Sequence, residues 1–235
     1  MKILSIDTTT YTLGVGVSAE GEIKGEVITN LKKNHSIRLM PAIDYLLKEA
    51  SIKTNELDRI AVAKGPGSYT GVRIGVTTAK SMAWALHIPV VGISSLKILA
   101  QNGKHFQGLV CPFIDARRGQ VYTGLYQGSH GESKMVEKDR ITLMEDWLQG
   151  LKKTEKDVLF LSQDIEKHRE LIEYTLGDKA LCGTMQENSV RPGELLALGE
   201  KAESGPSVHE FVPEYIQLAE AEKKWLADQK GKTNG

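Results

Sequence analysis

Only two cysteines, Cys111 and Cys182, occur in the 235 residues, and they stand far apart. That excludes a CxxC redox or metal pair and a disulfide framework, and a reducing compartment is expected. Charge of one sign is also lacking: Lys+Arg 30 against Asp+Glu 30 leaves a formal net charge of zero. The basic footprint of an autonomous nucleic-acid binder is therefore absent, so any RNA contact needs help from a partner. The missing self-repulsion favours association. No long uncharged apolar run occurs, and Met1-Lys2-Ile3-Leu4-Ser5-Ile6-Asp7 reaches a carboxylate before a signal-peptide apolar region can form. No membrane association and a cytoplasmic location are expected. Hydrophobic (40%) and charged (26%) fractions near the globular average exclude disorder and coiled coil.

Several catalytic signatures are missing too. His35 is followed at i+4 by Leu39, and His209-Glu210 runs into Val212-Pro213, so no two-histidine helical face for zinc is formed. Gly-x-Ser-x-Gly does not occur, and neither cysteine has a nucleophile's context.

What is present is periodicity. Lys2 to Ile6 reads as a buried strand, Leu13-Val15-Val17 alternates, and Glu22 to Ile28 alternates again after Gly21. A helix over Ser36–Ala50, a strand over Arg59–Lys64, a helix over Gly71–Leu86 and a strand over Pro89–Ile93 follow, then a helix capped by Ser95. Near Gly103-Lys104 the pattern restarts: Ile114-Asp115 with Val121, Thr123 and Leu125 echoes Ile6-Asp7 with Leu13 and Val15, which indicates an internal duplication. The second half is read as a polar turn region over Gln127–Lys134, a helix over Glu145–Leu151, a strand over Val158–Leu161 and a helix over Gly193–Glu203 opened by Pro192. The expected divisions are a first lobe over 1–104, a second over 105–218 with helix 193–203 packing back on the first, and a polar tail over 219–235.

The sharpest local feature is Gly65-Pro66-Gly67-Ser68-Tyr69-Thr70-Gly71-Val72-Arg73-Ile74-Gly75, between a strand and a helix that Thr70 is placed to cap. Its amides suit an anion, but no Gly-Lys-Ser/Thr follows and the glycine spacing is not that of a dinucleotide fingerprint; a tight strand-to-helix turn is the competing reading. Asp7, followed by Thr8, Thr9 and Thr10, stands where an actin-like or sugar-kinase-like ATPase holds its metal and first phosphate. Those enzymes place glycine there, whereas threonines follow Asp7 and Ala116-Arg117 follow Asp115. An Asx-turn is the alternative for Asp7. Asp7, Thr8, Gly65, Gly67, Ser68 and Thr70 thus form a candidate vestigial phosphate loop.

The two helices of the first half carry wide uncharged arcs, about 160° for the first and about 200° for the second. Leu39, Ile43 and Leu46 on one helix, and Val76 with the small-residue row Gly75, Ala79 and Ala83 on the other, are candidate partner-binding residues. Burial within one domain explains the same pattern.

Taken together, Ile6-Asp7-Thr8-Thr9, His35-Ser36 with Leu39 and Pro41, the Gly65–Gly75 segment, Ser94-Ser95-Leu96 and Ile114-Asp115-Ala116-Arg117-Arg118 with Val121-Tyr122 resemble the TsaB (YeaZ) family; Pro213-x-Tyr215 is a weaker match. Tyr69 stands where that family usually has Phe, and Gln217 where an Arg commonly follows the late tyrosine. The resemblance implies an α/β, actin-like (ASKHA) fold of two duplicated RNase H-like lobes. It further implies a non-catalytic subunit that works with TsaD and TsaE, binds TsaD through its first two helices, and meets tRNA only through the complex; a homodimer through the same two helices is the separate expectation for the chain when alone. The reaction so served transfers threonylcarbamoyl from its adenylate to the adenosine 3′ of the anticodon in tRNAs reading codons that begin with A. No catalytic residue, metal or cofactor is expected for the chain alone, with a nucleotide at the complex interface left open. Two rival classes remain: an ATPase or phosphotransferase, marked by magnesium-dependent ATP turnover, and a Gcp-like metalloprotease, marked by stoichiometric metal and peptide cleavage.

Overall fold

Strand β1 (Lys2–Asp7) is buried from Ile3 to Asp7, as a strand covered on both faces must be. β2 (Leu13–Ala19) pairs antiparallel with it, and β3 (Glu22–Thr29) pairs antiparallel with β2. After α1 (Leu39–Glu49), β4 (Arg59–Ala63) joins the other side of β1 in parallel; after α2 (Tyr69–Leu86), β5 (Val90–Ile93) adds parallel to β4. The sheet order is β3-β2-β1-β4-β5. This computed structural model describes residues 1–203 and 207–216; Gln217 and the 219–235 stretch lie outside the described residues.

The second half repeats the order. After α3 (Ser95–Ala100), β6 (Leu109–Asp115), β7 (Gln120–Ser129) and β8 (Glu132–Leu143) form an antiparallel meander, and β9 (Val158–Leu161) and β10 (Ala180–Cys182) extend it in parallel beyond β6, giving β8-β7-β6-β9-β10. α4 (Met144–Leu151), α5 (Ile165–Leu176) and α6 (Pro192–Lys201) take the places of α1, α2 and α3. Two mixed five-stranded sheets of one topology, each flanked by helices, make the fold a duplicated, actin-like α/β fold. The last helix of each half packs on the other half's sheet: α3 on β6, β7 and β8, and α6 across the first sheet. Arg59 at the start of β4 donates to the carbonyls of Gly199 and Ala202 at 2.8 Å each, satisfying the exposed end of α6. Among the described residues no helix is long and apolar enough to cross a membrane.

Several boundaries differ from the sequence reading for local reasons. Residues 35–38 form a turn, with His35 O accepting from Leu39 N at 2.9 Å, so α1 starts at Leu39 and Pro41 sits in its first turn, where no donor is needed. The caps are Ser68, not Thr70, for α2 and Ser94, not Ser95, for α3: their hydroxyls accept from Gly71 N and Lys97 N. Gln127–Lys134 is mostly paired strand; only His130 and Gly131, both at positive φ, make the hairpin turn.

Candidate functional site

The chain leaving β1 turns back on itself. Asp7 Oδ1 accepts from Thr9 N at 2.9 Å and from Thr9 Oγ1 at 2.8 Å, the Asx-turn alternative. The carboxylate is buried and its Oδ2 has no partner among the described residues. Burial pushes its pKa up to about 6, outweighing the two Thr9 bonds and the nearby His35 that pull it down. Thr8 Oγ1 donates to Gly71 O at 2.7 Å, and Ser68 N donates to Thr9 O at 2.7 Å.

This contact needs glycine. A Cβ on Gly67 would lie 2.3 Å from Thr9 O, and one on Gly71 2.1 Å from Thr8 O. Residues 8–9 therefore fill the space between the end of β1 and the start of α2. Gly65, at φ +107°, faces the Glu214 carbonyl in the same packed way. Of the candidate phosphate loop, Asp7, Thr8 and Gly65 are buried in packing, and Gly67 holds the close approach; Ser68 and Thr70 are exposed, with Tyr69 between them. A phosphate cannot reach Asp7 unless residues 8–9 move, because the chain's own backbone occupies that position.

The matching carboxylate of the second half is differently placed. Asp115 Oδ2 meets Lys167 Nζ at 2.8 Å, and Oδ1 lies 3.4 Å from His168 Nε2. Partial burial pushes its pKa up, but Lys167 and then His168 and the Arg117 amide together hold it below the usual carboxylate value. Lys167 also bridges to Asp164 at 2.8 Å. Beyond Asp115 the chain reverses through Arg117, Arg118 and Gly119, at φ 67°, 54° and 72°.

Between these two hairpins lies an interlobe cleft of about 740 Å³, walled by Thr9–Tyr11, Lys33–His35, Pro66–Val72, Ile114–Arg118, Tyr122 and the segment 214–216. That last wall had no strong sequence signal. It is a strap anchored by the buried Phe211 ring in the first-lobe core, by Lys80 Nζ donating to the carbonyls of His209 and Phe211, and by Glu214, whose amide donates to Lys64 O at 2.9 Å and whose carboxylate meets Lys64 Nζ at 2.7 Å. It sets Tyr215 against Tyr69, ring centroids 5.1 Å apart. His35, buried beside the cleft, is held through Nε2 to Thr10 O at 2.8 Å, and its Nδ1 has no partner among the described residues. Among the described residues no three His, Cys, Asp or Glu side chains converge as metal ligands.

The partner-binding candidates are corrected by the structure. Leu39, Ile43, Leu46, Val76, Ala79 and Ala83 are all buried in the first-lobe core. Gly75 faces the sheet: a Cβ there would meet Thr8 Oγ1 at 2.6 Å, then Ile6 and Val62. The small-residue row lets α2 approach its own sheet, not another helix. The wide uncharged arc arises because Ile74, Met82 and Leu86 flank that contact, half-buried against the same core. What the two helices expose is different: Ile37 and Met40 with Tyr45 around α1, and a stripe of Tyr69, Arg73, Thr77 and Trp84 along α2, Trp84 being 61% exposed. An open groove of about 420 Å³ separates Ser36 from Tyr69, Arg73 and Thr77.

Comparison with known proteins agrees with this architecture. The family described as TsaD, tRNA N6-adenosine threonylcarbamoyltransferase, matches residues 22–225. The tRNA threonylcarbamoyladenosine biosynthesis protein TsaB of Bacillus subtilis is 51% identical over 230 residues, covering 98% of this chain and 100% of that protein. Among solved structures, an uncharacterized Pseudomonas aeruginosa protein with similarity to peptidase YEAZ superposes with a TM-score of 0.77 at 27% identity, over 92% of this chain and 99% of the other. YeaZ from the same organism gives 0.74 at 26% identity, over 91% and 99%.

Proposed function

The chain belongs to the TsaB family, and on that premise we propose that it is a non-catalytic subunit of tRNA threonylcarbamoyladenosine biosynthesis in the cytoplasm. In this reading it binds TsaD as a heterodimer, joins TsaE in a ternary complex, and enables transfer of threonylcarbamoyl from threonylcarbamoyl-AMP to the adenosine 3′ of the anticodon in tRNAs reading codons that begin with A. The observation that carries the reading is identity along the whole length to the Bacillus subtilis TsaB protein. The closed Asp7 turn supports it chemically, since an actin-like ATPase needs that carboxylate open to metal and phosphate, and here it is buried against Thr9.

The docking face in this proposal is the exposed one. Tyr69, Arg73 and Trp84 on α2, with Met40 and Tyr45 on α1, have the aromatic and arginine composition that dominates binding energy at interfaces. In the absence of TsaD, the same face pairs two copies about a two-fold axis. Reconstitution tests the proposal: TsaD and TsaE with tRNA, threonine, bicarbonate, ATP and the enzyme that forms the adenylate should modify tRNA only when this chain is added. Full modification without it, or modification by this chain without TsaD, refutes the reading.

A further inference from the structure

The open groove beside α2 holds one charged side chain, Arg73, and around it stand the hydroxyls of Ser36, Tyr69, Thr70, Thr77 and Thr78. No carboxylate lines it. Arg73 is exposed and, among the described residues, forms no ion pair with Asp or Glu; its Nη1 donates to Tyr69 Oη at 3.2 Å, and its Cζ lies 5.4 Å from the centre of that ring. A guanidinium has five donors in a fixed fork and accepts nothing. The contact with Tyr69 therefore leaves most of the fork unused.

What holds Tyr69 comes from the other end of the chain. The Tyr215 ring packs against it, centroids 5.1 Å apart and planes inclined at 31°. The strap that carries Tyr215 is fixed on both sides of β4 and α2: the Phe211 ring fills the space beside Gly92, where a Cβ would lie 2.6 Å from its Cζ, Lys80 holds the carbonyls of His209 and Phe211, and Glu214 is tied to Lys64 through main chain and side chain. Tyr215, Tyr69 and Arg73 thus form a continuous series from the strap to the groove. An arginine on an exposed helix face would otherwise sample many rotamers; one held against a fixed ring loses less freedom when a ligand binds.

The count of charges decides the class of occupant. An RNA strand is held by several cations along its phosphates, and this groove supplies one. A carboxylate fits better: the guanidinium fork takes both its oxygens, and the surrounding hydroxyls donate to the lone pairs that remain. We propose that the groove receives an aspartate or glutamate side chain of the docked subunit, bound by Arg73, and that Tyr215 of the strap is a positioning residue that holds Arg73 in place through Tyr69. The inference rests on the docking reading above and supplies the polar contact at that face.

Calorimetric titration of the full chain with purified TsaD tests it, with Trp84→Glu run in parallel to report on the docking face itself. Arg73→Ala should weaken binding about tenfold or more, Arg73→Glu further still because it sets two carboxylates together, and Arg73→Lys should recover only part of the loss, since an ammonium cannot fork. The affinity of the parent should fall more steeply with added salt than that of Arg73→Ala. Tyr215→Ala should weaken binding about threefold or more in the parent but cost nothing further in Arg73→Ala, and Tyr215→Phe, which keeps the ring, should restore the affinity; a strap that merely stabilised the fold would cost the same in both backgrounds. If Trp84→Glu loses affinity while Arg73→Ala binds like the parent, the docking face stands and the carboxylate groove is overturned. If both bind like the parent, the docking face falls and the groove with it. Equal losses from Tyr215→Ala in the two backgrounds overturn the positioning role, and an Arg73→Ala chain that binds TsaD normally but lowers tRNA retention by the assembled complex shows that the groove takes a phosphate instead.

Discussion

Asp7 Oδ1 receives both the amide and the hydroxyl of Thr9, at 2.9 and 2.8 Å, while Oδ2 receives nothing among the described residues. A carboxylate so placed is satisfied on one side and stranded on the other. Its pKa, pushed by burial from 3.8 to about 6, means that the folded state holds the proton more tightly than the unfolded chain does. Asp7's favourable contribution is therefore complete below about pH 4 and is lost as pH rises through about 6. Asn, neutral throughout, escapes that loss. Asp7→Asn should unfold several degrees higher than the parent at pH 7.5, by roughly 3 kcal/mol, with the gap narrowing as pH falls through about 6 and closing only below about pH 4. A variant that is less stable at pH 7.5 would show that the ionised carboxylate has an unseen partner.

Gly71 makes the closed turn possible, because the atom its Cβ would strike is the backbone carbonyl of Thr8, not a side chain that can rotate away. Gly71→Ala, favourable by helix propensity alone by about 1 kcal/mol, should instead destabilise the chain by about 3 kcal/mol in urea unfolding. A neutral outcome would mean that residues 8–9 leave the start of α2 readily.

The two thiols should separate cleanly. Cys111 is fully buried, bonded to Thr123 and to the Trp147 indole at 3.2 Å, and burial pushes its pKa up to about 11. Cys182 is only half-buried, on the edge strand of the second sheet, although burial raises its pKa as well. An aromatic disulfide reagent should titrate one thiol in native protein at pH 8 and two in denaturant; rapid modification of both in the native state would contradict the packing around Cys111.

Much of the fold was legible because burial and period coincide. Lys2–Asp7 and Val158–Leu161 read as apolar runs, and the repeated Ile-Asp before an alternating strand marks the two corresponding β1 and β6 positions. α5 went unread although Ile165, His168, Ile172 and Leu176 lie on one face, since the many charges between them hide the spacing. The strap was illegible for a different reason: Phe211 and Tyr215 are placed by contacts to α2 and β5, far away in sequence, and no local period encodes them. The same limit explains the partner-binding candidates. An apolar arc states how much of a helix avoids water, not whether a sheet or another protein covers it.

That distinction gives the sharpest test of the docking face. Ala79 and Ala83 are fully buried on α2, so a glutamate at 79 puts a charge into the first-lobe core, at a cost of several kcal/mol. Trp84 stands on the same helix but outside the core, 61% exposed, in the stripe that begins at Tyr69. Ala79→Glu should therefore lower the unfolding midpoint sharply and lose TsaD binding only as a consequence of unfolding. Trp84→Glu should keep the parental midpoint within a degree or two, since exposed substitutions stay within about 0.5 kcal/mol, while co-elution with TsaD falls by about tenfold or more. Sedimentation of the free chain should show the Trp84→Glu variant as monomer where the parent is dimer. If Trp84→Glu folds, stays dimeric and still supports full tRNA modification with TsaD, the exposed stripe of α2 is not the docking face.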